Sequence, residues 1–244
     1  MTDVAYIIPF RDRGTDPLRY MNLQRTREHW THATEVEPMI AHDGRSGDKQ
    51  FNRSSAYNYG VRAWEGTFGH HPEVYVFIES DMLVLPSQIR IAIEWARKSP
   101  GLVVPFIEYR ALGPDDSELV RCYFKGPQDC PAHKVIANGR SHGAVNVISR
   151  TTLDMIGQYD EGFEGNWYDD DAMKIAFEVC TGVPTRFTPG MGWHLYHQPG
   201  HAGAHLSDAD RDATTANKER LGLYQRAARS NNVAEIRRLL KGEA

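Results

Sequence analysis

The stretch EVYVFIESDMLVLP, residues 73–86, constrains the fold more than any other part of the sequence. Its run Val74–Ile78 is continuous, β-branched or aromatic, and free of polar residues. Such a run is typical of a strand in the middle of a parallel sheet that is covered on both faces. Because helices usually supply those covering layers, the sequence predicts an α/β fold.

The rest of the chain alternates between short apolar runs and helical patterns. We predict further strands at residues 4–10, 36–43, 101–110, 143–149 and 184–189. Helices are predicted at 17–30, at 54–64 with Ser54 or Ser55 as cap, at 87–98, from a cap near Thr151, and at 172–180. Residues 113–142 lack periodicity and are rich in Gly, Pro, Asp and Lys, so we expect a long loop there. We interpret residues 1–207 as one domain with a central, mostly parallel sheet, and residues 208–244 as a helical extension packed on it.

Composition narrows the class of protein. The 244 residues are 41% hydrophobic and 25% charged, which is ordinary for a soluble globular protein. A formal net charge of −4 gives no general electrostatic reason to bind nucleic acid. Three cysteines without a CxxC pair favour a reducing compartment, with a Cys122–Cys130 bridge left open. Since no leader pattern or membrane-spanning stretch is present, we expect a cytoplasmic protein.

Polar side chains cluster where the predicted strands end. In open α/β sheets, ligands bind at the carboxyl ends of the strands. Each of these residues alone has an ordinary structural explanation, but together they predict a site. In chain order they are Arg11, Arg13, Asp43, Glu79, Asp81, Asp169, Asp170, Asp171, His194 and His197.

The triplet Asp169, Asp170 and Asp171 places three mutually repelling carboxylates before a helix predicted to begin at Ala172. Helix capping and the helix dipole account for one or two of them. The neighbouring residues are more typical of a pocket wall than of a surface turn, and they are Phe163, Gly165, Trp167 and Tyr168. The triplet is therefore a candidate site.

Two motifs offer metal ligands. The carboxylates of Glu79 and Asp81 directly follow the buried strand and can reach a divalent cation from one side. In HLYH, His194 and His197 face one point if the segment is a turn or short helix, and opposite sides if it is a strand. Two more histidines, His201 and His205, follow in the same stretch. A histidine pair with a distant acid is also compatible with zinc.

The order of motifs resembles that of the GT-A glycosyltransferases, within them the β1,4-galactosyltransferase-like branch and, more widely, the family 2 glycosyltransferases. The matching segments are IIPFRDR at 7–13, FNRSSAYNYG at 51–60, VFIESDMLVLP at 76–86, HGAVNVISRTTLDMIGQYDEGF at 142–163, YDDD at 168–171 and HLYH at 194–197. They extend over about four fifths of the chain in the family order. The resemblance implies a GT-A fold and a metal-dependent, inverting hexosyltransferase that uses a nucleotide sugar, expected to be UDP-linked, and an acceptor hydroxyl.

The resemblance also implies a role for each matching residue. Asp169 would be the catalytic base, and Asp170 would contact an acceptor hydroxyl. Apart from the resemblance, we expect Asp171 to cap the helix predicted to begin at Ala172. Mn²⁺ or Mg²⁺ would be bound by Asp81, His194 and His197. The uridine diphosphate part of the donor would be bound by Pro9, Phe10, Arg11, Arg13, Phe51, Arg53, Glu79 and Ser80, with Asp43 near the base or ribose.

Several positions depart from the family pattern. Glu79 is the first acid of the D-x-D-type motif, Tyr168 stands where a Glu usually precedes DDD, and FEGNW replaces a Trp-Gly-rich stretch. A methionine is common where His194 stands, and two imidazoles widen the choice of metal. The donor side therefore matches better than the acceptor side.

Two other functions stay open. Clustered Asp and His residues also hold metal ions in hydrolases and nucleases that cleave phosphoesters. A carbohydrate-binding protein would use aromatic stacking platforms, here Trp167, Tyr168, Trp193 and Tyr196. Neither function explains the IIPFRDR and FNR segments. Within the transferase interpretation, the acceptor is a glycan, a protein, a small metabolite or a modified base in DNA.

Overall fold

The computed structural model describes residues 3–14, 16–47, 49–165, 167–199 and 206–243. Within these ranges the chain forms strands in two sheets. The strands are β1 (Val4–Pro9), β2 (Met39–Ala41), β3 (Val74–Ile78), β4 (Met82–Val84), β5 (Val103–Val104), β6 (Glu108–Leu112), β7 (Ala132–Ile136), β8 (Val145–Ser149), β9 (Arg186–Phe187) and β10 (Met191–His194).

The larger sheet has six strands in the order β2-β1-β3-β8-β5-β9. β1 is parallel to both β2 and β3, so the carboxyl ends of these three strands lie at one edge. β8 is antiparallel to both its neighbours, and β5 and β9 are parallel. Every residue of β3 is buried, as expected for a strand between two others with both faces covered. The predicted α/β fold with a central, mostly parallel sheet is confirmed.

Helices pack against this sheet and against one another. They are α1 (Pro17–Thr34), α2 (Arg53–Phe68), α3 (Pro86–Lys98), α4 (Pro114–Arg121), α5 (Arg150–Ile156), α6 (Asp169–Thr181), α7 (Asp208–Arg229) and α8 (Val233–Leu240). α2 packs on β1 and β2, and α3 packs on β8 and β5. Gly60 permits the close approach of α2, because a Cβ there would lie 2.6 Å from Ile7 Cγ2.

The smaller sheet has the order β4-β10-β6-β7 and extends from the end of β3. The single strand predicted at residues 101–110 is wrong, because β5 lies in the larger sheet and β6 in the smaller one. Pro105 lies between them, and a proline lacks the N–H that would continue a ladder. This division lets β10 pair with both β4 and β6, which places His194 opposite Met82.

The loop predicted at residues 113–142 is also wrong, because it contains α4, a 3-10 turn at Pro127–Asp129 and β7. α4 has Pro114 at its first position and Asp115 and Asp116 in its first turn, which favour a helix start. β7 is mostly exposed, so no hydrophobic pattern marks it, and its conformation comes from pairing with β6.

Several helices begin earlier than predicted because of their caps. Asn52 caps α2 by accepting the Ser55 N–H at 2.8 Å, and Ser149 caps α5 by accepting the Thr152 N–H at 3.2 Å. α6 begins at Asp169 rather than Ala172, so all three adjacent carboxylates lie in its first turn. Its N-cap is Tyr168 without a side-chain bond, and the predicted capping role of Asp171 is therefore wrong.

The helical tail predicted after residue 208 is present as α7 and α8. α7 packs on α6, and α8 packs on both. Asp160, which is fully buried, accepts hydrogen bonds from Arg220 Nε and Nη2 at 2.6 and 2.7 Å and from the Tyr224 hydroxyl at 2.7 Å. The tail is thus joined to the rest of the chain by a buried ion pair.

Two smaller expectations concern cysteines and membrane spans. All three cysteines are free, so the alternative of a Cys122–Cys130 bridge is wrong. Among the described residues, no helix has the length and apolar character that crossing a membrane requires.

Candidate active site

An open cleft lies beyond the carboxyl end of β1, and we call it the donor cleft. Six residues predicted to bind the donor line it, namely Pro9, Phe10, Arg11, Arg13, Phe51 and Ser80. Two further lining residues were marked by the sequence, Gly165 as part of a pocket wall and Asp12 within the IIPFRDR segment. No sequence signal marked the others, which are Asp16, Arg19, Gln198, Leu206 and Asp210. The cleft therefore combines cationic side chains from the start of the chain with the first turn of α7.

Two predicted donor residues are engaged within the protein. Arg11 Nε lies 3.0 Å from Asp43 Oδ1, and its Nη1 and Nη2 donate to the carbonyls of Gly47 and Lys49. The buried carboxylate of Asp43 also accepts the Asn52 N–H at 3.0 Å. These contacts hold the segment after β2 against β1, so Arg11 and Asp43 shape the cleft wall.

Asp81, His194 and His197 converge on one point. The Nε2 atoms of His194 and His197 lie 3.5 and 3.1 Å from Asp81 Oδ2, and the three potential ligand atoms lie within 4.8 Å of one another. Asp81 Oδ1 is buried and has no hydrogen-bond partner among the described residues. His194 ends β10 and His197 lies in the following loop, which lets both rings face Asp81. His201 and His205 lie outside the described residues.

Electrostatics at this cluster favour an ionised carboxylate. Burial opposes ionisation of Asp81, yet His194 and His197 outweigh it and hold its pKa well below the ordinary value. Burial likewise disfavours the charged form of His194, but Asp81 raises its pKa. The second ring nitrogen of His197, Nδ1, lies 2.7 Å from the Gln198 carbonyl, which directs Nε2 towards Asp81.

The loop that carries His197 is held by residues that sequence reasoning missed. The fully buried Asn22 of α1 donates to the Tyr196 carbonyl at 3.1 Å, and Ser117 of α4 accepts the Tyr196 N–H at 2.8 Å. Arg121 donates to Asn22 Oδ1 at 2.9 Å, and Asp16 accepts the Gln198 N–H at 2.7 Å. Side chains from α1 and α4 thus fix the backbone around the histidines.

Arg53 joins the two acidic groups of the site. Its Nε and Nη2 donate to Asp169 Oδ2 at 2.9 and 2.6 Å, and Nη2 also donates to Asp170 Oδ1 at 2.5 Å. Its Nη1 contacts Glu79, two residues before Asp81. Arg53 therefore lies between the candidate metal ligands and the candidate catalytic acids, a pairing that the sequence did not predict.

Asp169 has two different carboxylate oxygens. Oδ2 is bound by Arg53, whereas Oδ1 is buried and has no hydrogen-bond partner among the described residues. Burial raises the pKa of Asp169, against the attraction of Arg53 and with the repulsion of Asp170. The geometry leaves Oδ1 able to accept a proton.

The other two acids of the triplet have separate partners. Asp170 lies against Gly143, where a Cβ would fall 2.0 Å from the Asp170 Cγ, so only glycine fits. Asp171 Oδ1 lies 3.0 Å from His142 Nε2, and this hydrogen bond lowers the pKa of Asp171. The adjacent residues His142 and Gly143 thus accommodate both acids.

Two aromatic residues before α6 have left-handed backbones, Trp167 with φ of 77° and Tyr168 with φ of 72°. This conformation is unfavourable for residues other than glycine. The side chain of Asn217 in α7 donates to the Trp167 carbonyl at 3.2 Å and helps to hold it. Trp167 is 49% exposed, whereas Trp193 is 2% exposed. The expectation that Trp193 would stack on a sugar in a carbohydrate-binding protein is therefore wrong.

Comparison with known proteins identifies the fold. No protein-family model matches the sequence, and no curated protein matches it. The catalytic domain of Drosophila β1,4-galactosyltransferase 7, in complex with xylobiose, matches 85% of this chain and 74% of its own with a TM-score of 0.51 and 16% identity. A mutant of that enzyme in complex with manganese, UDP-Gal and xylobiose matches 77% of this chain and 65% of its own with a TM-score of 0.50 and 15% identity. The chain has the fold of the GT-A glycosyltransferases.

Proposed function

We propose that this protein is a metal-dependent glycosyltransferase that moves a sugar from a UDP-linked donor to an acceptor hydroxyl with inversion. One observation carries the proposal. In a GT-A fold, a cluster of potential metal ligands, Asp81 with two histidines, is linked through Glu79 and Arg53 to the buried carboxylate of Asp169, one oxygen of which has no hydrogen-bond partner in the described part of the chain. The Drosophila enzyme supports the choice of donor and metal, because its structure contains manganese and UDP-Gal.

The residues at the candidate metal site fit a divalent cation. One carboxylate and two imidazoles suit Mn²⁺ or Zn²⁺ better than Mg²⁺, which prefers oxygen ligands. The Oδ1 atom of Asp81, which has no hydrogen-bond partner within the described ranges, is also a suitable ligand atom. A cation bound here would act as a Lewis acid for the leaving diphosphate.

The donor cleft supplies the rest of the nucleotide site. Arg13 and Arg19 bring positive charge to it, and Phe10 and Phe51 bring apolar surface. Positive charge placed where the diphosphate leaves stabilises the transition state. We infer that these side chains bind the nucleotide, while Arg11 and Asp43 maintain the wall behind it.

Asp169 is the proposed base of a single displacement. The acceptor hydroxyl gives its proton to Asp169 Oδ1 as its oxygen bonds to the anomeric carbon. The bond from that carbon to the diphosphate oxygen breaks on the opposite face, which inverts the configuration. Arg53 holds Oδ2 throughout, so Oδ1 keeps its orientation.

Isothermal titration of the protein with UDP, with and without Mn²⁺, tests the nucleotide site. ADP, GDP and CDP are run in parallel, followed by a panel of UDP-sugars. We expect metal-dependent binding that favours UDP. Failure of every nucleotide to bind under both conditions would contradict the transferase proposal.

A second assay separates the proposal from the phosphoester hydrolase. The protein is incubated with Mn²⁺ and either a UDP-sugar or a generic phosphodiester, with a panel of sugar, peptide and nucleic-acid acceptors. We expect release of UDP that increases with an acceptor. Cleavage of the phosphodiester without an acceptor would favour the hydrolase.

The free cysteines are compatible with the cytoplasmic location that we also propose.

A further inference from the structure

Arg53 holds its two aspartates unequally, and this difference suggests how the donor and acceptor sites are coupled. Asp169 receives two hydrogen bonds from Arg53, and its side chain is 9% exposed. Asp170 receives one, and its side chain is 38% exposed. Asp170 is therefore the more weakly held partner and the more accessible one.

The donors of Arg53 are nearly all in use. A guanidinium has five N–H groups, and four hydrogen bonds run from Arg53 to carboxylates of the site. A bidentate contact with a phosphate needs two parallel N–H groups. A diphosphate can bind Arg53 in this way only if a carboxylate gives up its bond.

We propose that Asp170 is that carboxylate, and that the donor diphosphate replaces it on Arg53. Asp170 would then be free to bind the acceptor hydroxyl, while Asp169 stays on the Nε and Nη2 side of the guanidinium. Arg53 is in this sense a positioning residue, because donor binding prepares the acceptor contact. The inference rests on the proposed function and adds an order of binding to it.

Charge supports the exchange. Arg53 is the cation in direct contact with three carboxylates, those of Glu79, Asp169 and Asp170. Repulsion among these acids weakens the hold on the most exposed one, and a diphosphate brings more charge to Arg53 than a carboxylate does. Gly143 presents only backbone to Asp170, so no side chain at position 143 opposes movement of the carboxylate.

The test measures UDP affinity by isothermal titration, with and without Mn²⁺, for the wild type, Asp170→Asn and Asp171→Asn. The two variants make the same change of charge at adjacent positions, but Asp171 pairs with His142 rather than with Arg53. We expect Asp170→Asn to bind UDP about fivefold more tightly, because a neutral amide competes less well for Arg53 than a carboxylate does. Asp171→Asn should stay within about twofold of the wild type.

An Arg53→Lys background and a second substitution make the test specific. Lysine keeps the charge but lacks the planar fork, so the gain from Asp170→Asn should largely disappear. Asp170→Ser should reproduce the gain if Asn perturbs the helix start. Equal affinities of Asp170→Asn and Asp171→Asn, or a gain that persists in the Arg53→Lys background, would overturn the exchange while leaving UDP binding intact. Absence of UDP binding by the wild type would overturn the proposed function together with this inference.

Discussion

Asp169 is the residue on which the proposed chemistry depends. Substitution by Asn keeps the shape and the contact with Arg53 but removes the proton acceptor. We expect kcat to fall by about 10²- to 10⁴-fold, which is the usual contribution of a general base. UDP should still bind, because the donor cleft is lined by other residues. We would measure kcat from initial rates with a UDP-sugar and UDP affinity by titration. Retention of most activity would show that another group is the base.

The pH profile of the reaction gives a second test of Asp169. Burial raises its pKa, against the attraction of Arg53. A base must be deprotonated, so activity should be complete above this raised pKa and fall as the pH drops through it. The acid limb of kcat against pH should therefore lie above the ordinary Asp value of about 3.9. The residual activity of Asp169→Asn should lack this acid limb of the pH profile. If the variant keeps the limb unchanged, a group other than Asp169 causes it.

The residue types of the site were readable from the sequence, but their partners were not. Motif order predicted Arg53 and Asp169 as site residues, whereas their hydrogen bond joins positions 116 residues apart. The contact exists because the first residue of α2 meets the first residue of α6. Neither helix start was predicted at the correct residue, since the caps are Asn52 and a left-handed Tyr168. The spacing of motifs in the sequence does not predict which helix starts come into contact.

At the scale of elements, α4 holds the histidine-bearing loop. Ser117 is fully buried, and its hydroxyl accepts the N–H of Tyr196, which lies between the two histidines. Substituting Ala at position 117 leaves that N–H without its partner and loosens the loop. We expect Mn²⁺ affinity to fall by about tenfold, in the range of outer contacts at metal sites.

Mn²⁺ affinity is measured by titration calorimetry without nucleotide, and Ser87→Ala serves as the matched control. Ser87 is an exposed residue in the first turn of α3, so loss of its hydroxyl should leave Mn²⁺ affinity unchanged. Equal affinities for Ser117→Ala and the wild type would show that the loop holds its shape without α4.

The missed elements share a physical cause. α4 has eight residues, too few for a clear helical period, and β7 is an exposed strand whose pairing partner is set by tertiary structure. Helix α3 was predicted at nearly its observed position, because its apolar residues recur on one face over several turns. Short elements depend on neighbours that are distant in sequence.

At the scale of the whole molecule, the C-terminal helices contribute to the site. The first turn of α7 brings Asp210 to the donor cleft, where Oδ1 lies 3.4 Å from Arg13 Nη1. The tail was predicted to be helical, but this contact between residues 197 positions apart was not predicted. We propose that residues 208–244 are an extension that completes the wall of the domain formed by residues 1–207.

The buried pair of Arg220 and Asp160 offers a test of how firmly that extension is held. Asp160 is fully buried, and Arg220 supplies two of its hydrogen bonds and a third to the Leu239 carbonyl of α8. Arg220→Ala leaves the carboxylate buried without its cation, so we expect the free energy of unfolding to fall by about 3 kcal/mol. Arg211→Ala removes an exposed ion pair from the same helix and should cost at most about 0.5 kcal/mol. Urea denaturation of both variants makes the comparison, and equal losses would mean that α7 is held by its apolar face rather than by this pair.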